Sequence, residues 1–221
     1  MLYRKAYKKL LEWKEQKNKK ALCIIGARQI GKTTLIREFA KENYENFVEI
    51  NFVLDESAKL IFDGKLDADS IITNITAYTR KAMTPGKTLV LFDEIQDCPN
   101  VRTAIKFLVE DGRFDYIESG SMLGVKYNDI RSFPVGFEEI YQMFPMDFEE
   151  YALANGVQES TIEKLRECYI NEEPIPPLVH DVMIKLFQSY IVVGGMPQVV
   201  QTYVDTHDIG LVIENQNKPI I

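Results

Sequence analysis

The apolar positions along the chain change period several times, and each change marks an element. Over residues 2–17, Tyr3, Tyr7, Leu10 and Trp13 recur at helical spacing. They predict an amphipathic helix with Arg4, Lys5, Lys8, Lys9 and Lys14 mostly on its other face. Ala21 to Ile25 is a short unbroken apolar run stopped by Gly26, the pattern of a buried strand, and a helical segment opens near Thr34. The alternation in Asn46–Phe52 predicts a second strand. A less regular stretch follows, then a helix over 67–82 and a turn at Met83–Lys87. Thr88–Phe92 is a third apolar run. Residues 99–112 show Val101, Ala104, Ile105 and Leu108 on one helical face, with Pro near the start and Gly at the end. Phe114–Ser121 reads as a fourth strand ending in small hydroxyl residues. Strands that alternate with helices predict an α/β fold built on a parallel sheet.

Composition narrows this picture only slightly. At 221 residues, 46% hydrophobic and 27% charged, the chain has room for one sizeable domain, or one domain and a small appendage. No apolar run approaches a membrane span, and the first 16 residues lack the uninterrupted apolar core of a secretory signal. A cytoplasmic location with no membrane partner is therefore expected. Cys23, Cys98 and Cys168 are dispersed, and with only His180 and His207 they suggest neither a zinc site nor a disulfide framework.

Charge is unevenly spread. The first 20 residues hold eight Lys/Arg against two Glu, so in a chain of net charge −7 the other 201 residues carry −13. An acidic body argues against a broad nucleic-acid groove. The basic first helix leaves two readings open: a local contact with nucleic acid or an acidic partner, or the solvated face of a docking helix.

The chemistry is concentrated in Gly26-x-x-x-x-Gly31-Lys32-Thr33, set between a predicted strand and a predicted helix. That is the sequence and context of a P-loop. Glycines at both ends let the backbone of Ala27, Arg28, Gln29 and Ile30 wrap closely around a phosphate, with N–H groups pointing inward. The helix that opens through Lys32, Thr33 and Thr34 adds unpaired donors and a favourable dipole. Lys32 supplies charge to the β- and γ-phosphates, and the Thr33 hydroxyl can ligate Mg²⁺. About 60 residues later the third strand ends in Asp93-Glu94, in the form of a Walker B strand. Asp93 would hold Mg²⁺ through water, and Glu94 would polarise the attacking water. ATP and Mg²⁺ are the expected cofactors. A GTPase reading fits poorly: no D-x-x-G lies at the third strand, and Asn217-Lys218-Pro219-Ile220 lacks the acid of N-K-x-D.

With a strand in sequence between the P-loop strand and the Asp-Glu strand, the chain resembles the additional-strand, catalytic-glutamate P-loop division that includes the AAA-type ATPases. More specifically, Gly26-Ala-Arg-Gln-Ile-Gly-Lys-Thr33, Asp93-Glu-Ile-Gln96, residues 131–150 and Tyr190-Ile-Val-Val-Gly-Gly-Met-Pro197 are similar to a group of prokaryotic AAA-like ATPases. Those proteins join an N-terminal ATPase domain to a C-terminal domain of uncharacterised function.

The resemblance spans roughly residues 1–215. It implies a P-loop ATPase core at 21–145 behind the basic helix of 1–20, with its last strand at 137–143. An α-helical lid is implied at 146–205, its helices from Asp147 onward, at 158–173 and at 178–205. Residues 206–221 would be a truncated linker towards a further domain. Ser119 or Ser121 would be the polar sensor, Arg131 an arginine finger acting in cis or on a neighbouring subunit, and Arg28 a second phosphate or inter-subunit contact. A homo-oligomer or a protein partner is implied, and a DNA-associated or defence-related role rests on the resemblance alone. The function expected is ATP hydrolysis coupled to conformational change. The alternative is a nucleotide-gated interaction module with little turnover.

Overall fold

The computed structural model describes residues 2–121 and 136–216. The chain forms two compact units, one of Ala6–Met143 and one that combines Met1–Lys5 with Phe144–Ile221.

The first unit is a parallel sheet of β1 (Ala21–Gly26), β2 (Asn46–Asn51), β3 (Thr88–Asp93), β4 (Asp115–Ser121) and β5 (Glu138–Gln142), in the order β2-β3-β4-β1-β5. β4 lies between the P-loop strand and the Asp-Glu strand, which is the additional-strand topology. Parallel neighbours need long crossovers. The helices α1 (Lys5–Lys14), α2 (Lys32–Asn43), α3 (Ala68–Thr79) and α4 (Pro99–Asp111) supply cover for both faces. With both faces covered, the central strands are nearly continuous apolar runs: β3 is buried at all six positions.

Alternation assigns side chains to the two faces. Ala21, Cys23, Val48, Ile50, Val90, Phe92 and Tyr116 join Ile71 and Ile75 of α3 and Val101, Ala104, Ile105 and Leu108 of α4 in one core. The other face carries Leu22, Ile24, Asn51, Leu91, Asp93, Ile117 and Ser119. Trp13 of α1 and Phe39 of α2, both buried, pack against each other, and Tyr7 meets Phe39 edge-on. The predicted helix over 2–17 is therefore real but shorter, and Tyr3, placed on its apolar face, is largely exposed.

The basic residues of this segment are not a free cationic face. Lys9 pairs with Glu139 and Lys19 with Asp115, and the Lys14 amine donates to the Asn43 carbonyl. In the second unit Arg4 meets Glu150 in a buried ion pair, and Lys5 reaches Asp147 and Glu149. The charge asymmetry of the sequence is largely answered within each unit.

The second unit holds α5 (Phe148–Ala154), α6 (Glu159–Ile170), α7 (Pro177–Val193), α8 (Pro197–Thr206) and α9 (Ile209–Gln216). α5 begins with a capping box, Asp147 and Glu150 bonding each other's backbone N–H. The stretch 178–205 is not one helix. It breaks at Gly194-Gly195-Met196, where Gly195 lies so close to Met146 that a Cβ would overlap its carbonyl. Met146 N–H donates to the Gly195 carbonyl at 2.7 Å. Within the stretch 206–221 expected as a linker, α9 forms and Val212 is buried with Met146, Tyr151, Val193 and Val200. Val212 alone of the Leu211-Val212-Ile213 run is buried; its two neighbours are exposed.

Candidate functional site

The phosphate loop runs from the end of β1 to the start of α2 and is held from beneath. Ile30 is fully buried, and a Cβ at Gly26 would overlap Ile30 Cδ1 and the Met143 carbonyl oxygen. Met143 N–H donates to the Ile25 carbonyl at 2.8 Å, locking the chain after β5 against the loop. Gln29 (φ 64°) and Gly31 (φ 88°) are both left-handed, and this curls the backbone between them. Ala27, Arg28 and Gln29 are exposed at the crest, as is Thr34 on the first turn of the helix.

Lys32 is buried, and its Nζ donates to the carbonyls of Gly26 (3.1 Å) and Ala27 (2.8 Å). Burial lowers its ammonium pKa, while the charges of Glu94 and Asp93 oppose that shift and Arg28 adds to it. A lysine so placed is a desolvated positive charge at the mouth of the loop, under the electrostatic influence of both acids.

Asp93 is the hub. It is buried at the end of β3, and its carboxylate collects donors from three other elements. Thr33 Oγ1 of α2 lies 3.1 Å from Oδ2 and 3.3 Å from Oδ1. Asn51 Nδ2 of β2 donates to Oδ2 at 2.9 Å, and Ser119 Oγ of β4 donates to Oδ1. The register explains the convergence: Asn51 and Ser119 are both cross-strand partners of Asp93 and face the same side. Ser121, buried at the tip of β4, pairs with Gly26. Of the two sensor candidates, Ser119 is thus engaged with Asp93 and Ser121 lies beside the loop.

Glu94 follows in a left-handed conformation (φ 59°, ψ 48°), uncommon for a residue with a side chain and costing about 1–2 kcal/mol. It ends the strand abruptly and turns the chain into a short 3-10 turn, Ile95–Asp97. Its Oε2 accepts from Gln96 Nε2 at 2.5 Å. Arg131 lies outside the described residues.

Reading of the sequence assigned no role to Asn51 or Gln96. A polar residue closing an alternating strand was the available signal for Asn51, but its role depends on β2 pairing with β3. The donor set itself suits a hard divalent cation: one carboxylate and one hydroxyl in mutual reach, with two further donors orienting the carboxylate. Mg²⁺ bound through few protein ligands uses such a set.

Solved structures similar to this chain include C. elegans PCH-2, at 14% identity and a TM-score of 0.47, over 89% of this chain and 61% of that one. They also include the Aeropyrum pernix ORC1 protein in complex with DNA, at 14% identity and a TM-score of 0.45, over 69% and 48%. The chain spans less than two thirds of the length of either. Among curated proteins there is no match. A family model described as "AAA domain" matches residues 18–152, more than half of the chain and all of the elements that build this site. Its match, on a five-stranded parallel sheet of additional-strand order, carries the conclusion that the chain belongs to the AAA domain family of P-loop ATPases.

Proposed function

We propose that the chain is an Mg²⁺-dependent ATPase whose hydrolysis drives a conformational change. The observation that carries this reading is the hydrogen bond between Thr33 of the loop helix and Asp93 of the third strand. It brings the two halves of a nucleotide site, 60 residues apart in sequence, onto one carboxylate. The loop N–H groups and Lys32 bind the phosphates, and Thr33 with Asp93 would hold the metal. Mg²⁺ there would neutralise charge on the phosphate oxygens. Asn51 and Ser119 keep the Asp93 carboxylate aimed at that point. Glu94, one residue on, accepts a hydrogen bond from the attacking water and orients it. Ser121 beside the loop is the candidate sensor, and Arg28 and Arg131 are candidate phosphate contacts, Arg131 in cis or from a second copy in a homo-oligomer. Three buried free cysteines suit a reducing cytoplasm. Among the described residues no helix is long and apolar enough to cross a membrane.

The test is phosphate release by the purified chain, with and without Mg²⁺ and with and without DNA. Glu94→Gln should retain ATP binding and lose turnover by about 10²–10³-fold, the size of one lost electrostatic or general-base contribution. Normal hydrolysis by that variant removes Glu94 from its role. Nucleotide binding with negligible turnover in the unmodified chain would identify a nucleotide-gated interaction module instead. Stimulation by DNA would make nucleic acid a partner.

A further inference from the structure

Gln96 makes a contact that the nucleotide site as described above does not require. Its side-chain nitrogen bridges two carboxylates, Glu94 Oε2 at 2.5 Å and Asp97 Oδ2 at 3.0 Å. The orientation of the amide is set by chemistry, because both neighbours are acceptors and only the nitrogen carries protons. Its oxygen is consequently turned inward, buried, and has no hydrogen-bond partner among the described residues. Leaving a buried acceptor unmade costs on the order of 1–3 kcal/mol, a cost that marks the amide as held in place by something other than its own comfort.

The inward oxygen lies over Gly120 of β4, where a Cβ would come within 3.0 Å of it. Gly120 follows Ser119, which faces the other side of the sheet and donates to Asp93. Two consecutive residues of β4 therefore support two consecutive acids, Asp93 at the end of β3 and Glu94 just after it. Ser119 binds the first directly, and Gly120 leaves space for the amide that binds the second.

We propose that Gln96 is a positioning residue for Glu94: its amide holds the carboxylate in the orientation that receives the attacking water, and Gly120 makes room for that amide. The inference rests on the reading of Glu94 as the water-orienting group. Glu94 immediately precedes a turn only three residues long, and among the described residues Gln96 supplies the side-chain hydrogen bond to its carboxylate. Without it the carboxylate is free to rotate away while the phosphate loop and Asp93 stay in place. The consequence is a defect in chemistry and not in binding.

The experiment measures kcat and KM for ATP, with nucleotide binding by fluorescence, in the full chain and in Gln96→Ala, Glu94→Gln, the double variant and Gly120→Ala. Gln96→Ala should lower kcat on the order of 10- to 100-fold, the cost of misplacing a catalytic group by about an ångström, with KM and nucleotide affinity within about twofold. In the Glu94→Gln background, single-turnover rates should show no further loss, because Gln96 acts only through the missing carboxylate. Gly120→Ala should lower kcat by a smaller factor, and that loss should vanish when Gln96→Ala is also present. If Gln96→Ala keeps normal kcat while Glu94→Gln is inactive, the positioning role is overturned and the role of Glu94 stands. Equal losses in both backgrounds, or a parallel loss of nucleotide affinity, would reduce Gln96 to a general structural part. Normal turnover by Glu94→Gln, or none by the unmodified chain, overturns both readings.

Discussion

Asp93 and Glu118 are buried acids on adjacent central strands, one residue out of register, so they face opposite sides of the sheet and live in opposite chemical conditions. Asp93 looks towards the loop helix and is met by Thr33, Asn51 and Ser119. Glu118 looks towards α4 and has no ordinary hydrogen-bond donor for either oxygen among the described residues. Its neighbours are Cys23 and Glu138, with ligand atoms all within 4.8 Å of one another, and Arg102, which pairs with Glu138 at 2.6 Å. Burial, followed by the charge of Glu138, pushes the Glu118 carboxyl well above the usual range, against a smaller opposing pull from Arg102. Burial beside a second carboxyl thus favours the protonated form of Glu118. Burial likewise raises the Cys23 thiol. One acid is thus met by donors from three other elements. The other lies against a second carboxyl, and burial raises its pKa. The lesson is that burial alone does not define a functional carboxylate; the donors around it do.

The largest expected difference between the two is in chemistry. Asp93→Asn keeps the shape but replaces one acceptor oxygen by a donor, which then opposes Asn51 or Ser119. Mg²⁺-dependent turnover should fall by about 10³-fold, on the order of 4 kcal/mol, in a phosphate-release assay, with the fold intact by circular dichroism. The corresponding change on the opposite face, Glu118→Gln, should leave kcat within about twofold. A comparable loss from both would show that the two faces are not chemically separate.

Next in size is the buried ion pair between Arg102 and Glu138, beside Glu118. Arg102 and Glu138 are both nearly buried, with side-chain exposures of 7% and 4%. Arg102→Met should destabilise the chain by about 3 kcal/mol in urea unfolding, because it leaves a buried carboxylate without its partner. A loss under about 0.5 kcal/mol would mean that the pair contributes little to holding this face together.

The asymmetry between the faces also explains what could be read from the sequence. The loop and the Asp93-Glu94 strand were legible because their chemistry is local: fixed spacing, a strand before and a helix after. The strand at 88–93 was legible because a parallel strand covered on both faces is a short apolar run, and that at 46–52 because an edge strand alternates. The Glu118 cluster was not. A lone acid in Asp115-Tyr-Ile-Glu118 shares the face of Tyr116 by alternation, but nothing local says that Glu138 and Arg102 arrive beside it. β5, Glu138-Glu-Ile-Tyr-Gln142, lies at the sheet edge and carries so many polar residues that only the family resemblance pointed to a strand. For the cations of the first helix the sequence left open a partner contact or a solvated face, because the acids at 139, 147, 149 and 150 that pair with Arg4, Lys5 and Lys9 are distant in sequence. The break at Gly194-Gly195 was missed in the helical reading of 178–205, because its cause, the approach of Met146, is distant in sequence.

The smallest expected effect separates the two acids by pH. In the native chain Glu118 keeps its proton well above pH 4.5, whereas in the unfolded chain it releases it near 4.5. Between those limits the native state binds one more proton than the unfolded state, so this group lowers stability as pH rises, by at most about 1.4 kcal/mol per pH unit. Below the unfolded value both states are protonated and the contribution is constant. Glu118→Gln cannot titrate, and its side-chain amide can still donate to Glu138. Near pH 4.5 the variant should therefore match the parent closely, and between pH 5 and pH 6 its relative stability should rise by about 1 kcal/mol, measured as urea midpoints at each pH. Curves that stay parallel would mean that Glu118 is ionised in the native state, satisfied as Asp93 is, and the contrast between the two faces would disappear.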